Sequence, residues 1–417
     1  MVDGRLPRGP ASNIDSPGIR AWRNSVYLIF AVCGAGLAGI VARIPTLRDD
    51  LGISIAEMGL LLLGLSVGSV FGLVLSGQIV ARFGPRATIV GSLILAALGL
   101  VAAGIGSSIA HNYVFVLAAL LCFGFGTGTC NVAMNVEGAE VERIVARPIM
   151  PLFHASFSAG SVVGAALAAA AAALHIGVAV DFSITALLLA SGAVVVAPHL
   201  VETQAMTESQ RAAAETAHPH PVRAQLSVWL ERRTLLIGLV VLTTSFAAGS
   251  GNDWLSLAMV DGHDTSNSFA AITYAAFVLA GTAGRLVGVP LLSRFGRVAV
   301  LRGSAAVCAA GLLLVIFVPV PAVAFFGAIL WGLGGALGFP VGMSAAADDP
   351  ELAGARISVV ATIGYAASLI GPPLIGVIGE AIGILNALLV VLAFALGAAL
   401  VAGSAREPAG SRGAGGR

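Results

Sequence analysis

Long apolar runs separated by short polar breaks set the pattern of this chain. They cover about residues 24–44, 55–80, 86–106, 112–138, 150–174 and 178–198. After a polar interruption at 199–233 they resume at about 234–260, 268–291, 298–319, 321–346, 355–379 and 383–404. A helix that crosses a bilayer takes about 20 apolar residues, and every run is of that order. The pattern predicts an all-α integral membrane protein, with twelve transmembrane helices in two six-helix bundles. The segments are a polar N-terminal tail at 1–23, a first bundle at 24–198, a linker at 199–233, a second bundle at 234–404 and a C-terminal tail at 405–417. The first run is longer than a signal-peptide core and lacks a cleavage site, so it is read as an uncleaved span.

Composition sharpens this picture. The 417 residues are 58% hydrophobic and 10% charged, with mean hydropathy +0.96. Soluble domains carry about 25% charged residues, and disorder needs low hydrophobicity with high charge, so both classes are set aside. A net charge of +1 offers no basic excess for nucleic acid. Cys33, Cys122, Cys130 and Cys308 each sit in an apolar run without CxxC spacing, which argues for small buried side chains rather than disulfides or a metal site. No GxxxxGK[ST] or HExxH string occurs. The expectation is a non-enzyme without a cofactor.

Every basic residue is arginine. With both termini on the cytoplasmic side, only Arg43 and Arg48 fall outside and Arg285 falls within a span; the rest lie inside or at inner span ends. That is a strong positive-inside bias, and it predicts a multi-pass protein of the cytoplasmic (inner) membrane. The halves also repeat. Arg82-Phe83-Gly84 follows the second run and Arg294-Phe295-Gly296 the eighth, 212 residues apart. Internal repeats of this kind build transporter folds with the binding site at the repeat interface.

Two six-run halves, a central linker and paired loops resemble the major facilitator superfamily. The loop motif of that superfamily is a Gly, three residues, then Asp-Arg-x-Gly-Arg. Gly77, Arg82, Gly84 and Arg86 match it approximately, with Ala81 at the Asp position and Pro85 at a usual basic place; Arg294 and Gly296 match it in the second half, with Ser293 at the Asp position. The strings Asn131 to Arg143, Phe153 to Ser158, Asn252-Asp253-Trp254 and Thr362 to Pro373 are similar to the fucose-permease-like branch, especially its bacterial inner-membrane members. Fucose permease carries an Asp in span one and a Glu in span four for proton and sugar. The matching positions here are Val41 and Asn131, neither acidic.

Polar groups within spans are costly and tend to face a cavity or one another. Asn131 and Asn135 share a helix face. They read either as a hydrogen-bonding wall for a solute or as interhelical glue. His154, Phe157 and Tyr365 are cavity candidates, with an aromatic from each half as two walls; core packing is the alternative for each ring. Glu137 is the proton-coupling candidate, against an exposed rim carboxylate like Glu140 and Glu142. Arg43 and Asp253, at outer ends of equivalent spans, are candidates for a latch on the extracellular side, against separate snorkelling into water. Gly160-x-x-x-Gly164 suits close helix crossing, and Gly371-Pro372-Pro373 predicts a break in span eleven.

The expected function is secondary active transport of a small solute by alternating access. The favoured substrate is a polar, sugar-like metabolite, with protons as coupling ion and a monomer in lipid as the working unit. The alternatives are an exporter of amphipathic compounds, or a non-transporting membrane sensor or lipid-handling protein.

Overall fold

The computed structural model describes residues 17–147, 149–200, 228–348 and 352–407. It is all-helical over those residues. The helices are α1 (Pro17–Ala42), α2 (Ile44–Leu51), α3 (Ile55–Ser108), α4 (Tyr113–Val145), α5 (Met150–Ala173), α6 (Val178–Val196), α7 (Arg232–His263), α8 (Asn267–Phe317), α9 (Pro321–Gly335), α10 (Gly338–Ala346), α11 (Ala353–Ile382) and α12 (Ile384–Val401), with 3-10 turns at Ala197–His199 and Ala402–Ala405. Among the described residues, ten helical segments are long and apolar enough to cross a membrane, α9 and α10 together forming one of them. The outer surface carries exposed Phe71, Leu98, Leu187, Val194, Leu286, Val289, Phe326 and Leu400. A soluble protein rarely exposes so much apolar surface; hydrocarbon accepts it.

α3 and α8 are 54 and 51 residues long, far beyond the length one crossing requires. Each is broken once, at the glycine of its Arg-Phe-Gly triplet. Gly84 has φ 79° and ψ 162°, and Gly296 has φ 77° and ψ 166°. That region is open essentially to glycine alone. The repeat therefore extends to backbone geometry. Arg82 lies 5.4 Å from the Phe83 ring centroid and Arg294 5.3 Å from that of Phe295. The N-caps repeat at the same 212-residue offset: the Ser54 hydroxyl accepts from the Glu57 amide, and the Ser266 hydroxyl from the Phe269 amide.

Several elements differ from the sequence pattern. α1 begins at Pro17, seven residues before its apolar run, because Trp22 is buried within the first half. The expected run 321–346 is interrupted between α9 and α10, where Thr244 of α7 packs against Gly338. Gly371-Pro372-Pro373 does not break α11, which continues to Ile382. Most of the expected linker and tails lie outside the described residues.

α1, α3, α4, α5 and α6 pack on one another as one half, and α7, α8, α9, α11 and α12 as the other; α3 meets α11 and α5 meets α8 between the halves. The face carrying α2 is the α2 face; the opposite face, where residues 200 and 228 lie, is the linker face. On the linker face Asp348 accepts from Arg233 and Arg297, each at 2.7 Å, and Glu231 takes two hydrogen bonds from Arg356 at 2.7 and 2.8 Å. Partial burial pulls the Glu231 carboxyl upward, but the Arg356 guanidinium outweighs it and holds the group below the usual glutamate value.

Substituting Gly296→Ala forces an L side chain into the glycine-only region and is expected to cost about 1–3 kcal/mol. Gly303→Ala, at an exposed helical position with open space around it, is expected to be neutral or stabilising. Thermal melts of the two variants in detergent check the contrast.

Candidate functional site

Small residues bring the halves together on the α2 face. A Cβ on Gly59 of α3 would lie 2.7 Å from the Pro372 carbonyl oxygen of α11, and one on Gly376 would lie 3.2 Å from the Gly59 Cα. The proline string therefore belongs to a backbone-to-backbone seam between halves. Polar contacts extend the seam. The Ile55 amide donates to the Glu380 carboxylate at 2.9 Å, and Arg48 forms an ion pair with Asp261. Desolvation alone would lower the Arg48 value, but Asp261 and Asp49 outweigh it and hold the guanidinium above its usual value. The hydrogen bonds that join the halves among the described residues lie on this face.

The expected latch between Arg43 and Asp253 is not formed. Arg43 is 2% exposed and belongs wholly to the first half. Its Nε lies 3.3 Å from Asp181 of α6, and its Nη2 donates to the Ile176 carbonyl at 2.5 Å. Arg43 stands in the turn between α1 and α2, which aims it at α6 instead of across the gap. Asp253 is half-buried on α7 and has no ion pair among the described residues. The contact across the halves is Arg48 with Asp261, 213 residues apart and further toward the α2 face. Sequence reasoning missed Asp181, Asp261 and Glu380. All three sit at span ends, but only tertiary packing shows what each one faces.

The remaining candidates divide by position. Asn131 is exposed and Asn135 half-buried. The Asn135 amide donates to the Asn131 carbonyl at 2.7 Å on the same helix, and neither side chain bridges to another helix among the described residues. His154 is exposed, with its ring 5.2 Å from Phe30 in an edge-to-face contact. Phe157 is half-buried; its carbonyl oxygen would lie 2.1 Å from a Cβ on Gly34, which marks close packing of α5 on α1. Gly160 and Gly164 continue that packing against Ala31 and Ala35. Tyr365 is 37% exposed, with its ring 6.4 Å from Phe339. Phe157 and Tyr365 make no ring contact with one another. Gly249 and Asn252 share one face of α7, and open space surrounds the Gly249 position.

Glu137 is fully buried within the first half, where the Trp22 indole donates to its carboxylate at 2.5 Å. Its neighbours do other work. Glu140 pairs with Arg143, and Glu142 accepts the Ile149 and Met150 amides at 2.7 and 2.6 Å, capping α5. In the loop motif, Gly77 and Arg82 are exposed and Arg86 is half-buried. Asp348 partners Arg297 where Ser293 stands in place of the motif's Asp. Cys33, Cys130 and Cys308 are buried free thiols, while Cys122 is exposed.

The family profile described as Major Facilitator Superfamily matches residues 26–272 and 253–416. The chain belongs to the major facilitator superfamily. An MFS-type transporter of Yersinia pestis is 31% identical over 87% of this chain and 90% of its own length. The transporter y4wD of Sinorhizobium fredii is 30% identical over 89% and 97%, and the membrane protein MosC of Rhizobium meliloti 27% over 93% and 91%. In fold, the nucleoside transporter NupG superposes with a TM-score of 0.72 at 15% identity, over 93% of this chain and 98% of its own. A D-xylose–proton symporter does so with a TM-score of 0.67 at 14% identity, over 92% and 97%. At such identities the likeness is one of fold. Together these findings support a multi-pass secondary transporter.

The Arg43–Asp181 pair gives a stability test. Arg43→Leu strands a buried carboxylate and is expected to cost about 3–5 kcal/mol, with much of that regained in Arg43→Leu/Asp181→Leu. Thermal melts of the single and double variants measure the recovery.

Proposed function

We propose that this protein moves a small polar solute across the cytoplasmic membrane by alternating access, as a proton-coupled monomer with both termini inside. On this reading α3 and α8 each cross twice, reversing at Gly84 and Gly296, so that the chain makes twelve crossings. The carrying observation is the asymmetry between the two faces. The α2 face is sealed by Arg48 with Asp261, by Ile55 with Glu380 and by the Gly59–Gly376 approach. Polar positions from both halves, Asn131 and His154 on one and Asn252 and Asp253 on the other, remain wholly or partly accessible. A site at the interface of two repeats, closed on one side, is what rocking-bundle transport requires.

The chemistry of these positions favours a polar solute. Asn131 keeps its amide free of interhelical bonds, and fold relatives named for nucleoside and xylose transport carry polar cargo. The fucose-permease-like strings agree with that class. The accessible ring of Tyr365 supports a second reading, export of amphipathic compounds. Glu137 is the proposed proton carrier: burial gives its protonation state a large effect on the packing of α1 against α4.

A thermal-stability screen of the purified full-length protein, followed by uptake into proteoliposomes, tests the reading. Ligand at 100 times its Kd raises stability by about 2.7 kcal/mol. A sugar, polyol, nucleoside or organic acid is expected to produce that rise and to be taken up faster under an imposed proton gradient. Glu137→Gln is expected to abolish the gradient effect while leaving binding intact. Hits restricted to amphiphiles would move the reading to export, and a gradient effect retained in Glu137→Gln would remove Glu137 from coupling.

A further inference from the structure

α8 carries a charge that the fold leaves unanswered. Arg285 lies nine residues before Arg294, which places it about 14 Å deeper along the helix axis. An arginine at that depth is expensive and is ordinarily paired or turned to a watery cavity. Arg285 makes no hydrogen bond or ion pair among the described residues, and Asp253, the in-span acid of the same half, does not pair with it. Its side chain is exposed, so the five donors of its guanidinium are available.

Its position on α8 gives the direction. Gly281, Gly284 and Gly288 form the buried face of α8 toward α9. Ala275, Val278, Thr282 and Arg285 fall on a neighbouring stripe at helical spacing, and Ala275 and Val278 pack into the shared core. The helix of the other half that packs on α8 is α5, which carries His154. Arg285 lies within electrostatic range of His154 across the two halves. His154 is exposed as well, and neither of its ring nitrogens makes a hydrogen bond among the described residues. Two cation-forming side chains, one from each half, are thus carried on helices that pack together, within electrostatic range of each other and with their donors unused.

We propose that Arg285 and His154 form an anion site that holds a carboxylate or phosphate group between the halves. This deepens the transporter reading and rests on it, naming the solute as an acid. A guanidinium offers a planar, two-point hydrogen bond to either group, and imidazole adds a second donor from the opposite half. An anion bound to both draws α5 and α8 together, so the energy of recognition is spent on closing the gap between halves. The phosphate of an anionic lipid head group has the same chemistry as that of a free solute, and the test separates the two.

Binding is read as thermal stabilisation of the full-length protein in detergent by millimolar glucuronate against glucose, uridine monophosphate against uridine, and succinate against butanediol. A parallel arm compares nanodiscs of phosphatidylglycerol with nanodiscs of phosphatidylcholine. At least one acid, or the anionic lipid, is expected to stabilise the protein where its neutral counterpart does not. Arg285→Gln is expected to weaken that binding by about 10- to 100-fold, the effect of losing a charged hydrogen-bond partner, with Arg285→Lys in between. The ligand-free melt of Arg285→Gln is expected to match or exceed that of the parent, because an unpaired charge has been removed; a lowered melt would mark a structural role and overturn the site. Selective stabilisation by the lipid alone assigns the site to a head group. Acid binding that survives Arg285→Gln overturns the proposal, as does the absence of any acid or lipid effect. A neutral member that binds in that last case leaves the transporter reading standing.

Discussion

No water reaches the centre of a bilayer to satisfy a peptide group, so the backbone there must bond to itself. Most features of this fold follow from that constraint. The described residues are helices joined by short turns. Non-helical backbone inside the two longest helices is confined to Gly84 and Gly296, whose conformation other residues resist. Where a helix does break within a crossing, between α9 and α10, a neighbouring helix presses Thr244 against the gap. The double proline of α11 forfeits two amide donors and is placed where α3 approaches closely.

Hydrophobicity cannot hold such helices together, since lipid tails are as apolar as leucine. Close backbone approach takes over. Glycine is placed where helices cross: Gly160 and Gly164 on α1, and Gly99 and Gly311, themselves 212 residues apart, at matching crossings of the two halves. Within each half these contacts are extensive. Between halves they concentrate in the seam of α3 with α11 and the packing of α5 on α8. The seam is backed by the Arg48–Asp261 ion pair and the Ile55–Glu380 hydrogen bond, both exposed enough to be broken, whereas Arg43 and Asp181 are buried inside one half. Weak joints between rigid bodies and strong joints within them are the mechanical basis for rocking.

The repeat was legible in the sequence because glycine at a helix break and serine at a helix start are local requirements. Both recur at the same 212-residue offset in the structure. The superfamily was legible for the same reason. Partner choice was not. Arg43 and Asp253 occupy equivalent positions by spacing, yet the turn between α1 and α2 points Arg43 at Asp181; the pair that crosses the halves lies one to two turns further out. Glu137 resembles Glu140 and Glu142 in sequence, and only the placement of Trp22 distinguishes the fully buried carboxylate from the half-buried ones. The chemistry at Arg285 was visible as a charge within a span, but its relation to His154 depends on how α5 and α8 meet.

The proposed transport cycle depends on a central space sealed at the α2 face and reached from the linker face. Gly249, with open space at its side-chain position, reports on that space. Gly249→Cys in a background lacking the four native cysteines would be treated with a membrane-impermeant maleimide in spheroplasts and in inside-out vesicles. Fast labelling in inside-out vesicles and protection in spheroplasts is the predicted result. Equal labelling from both sides, or labelling only from the spheroplast exterior, would contradict it.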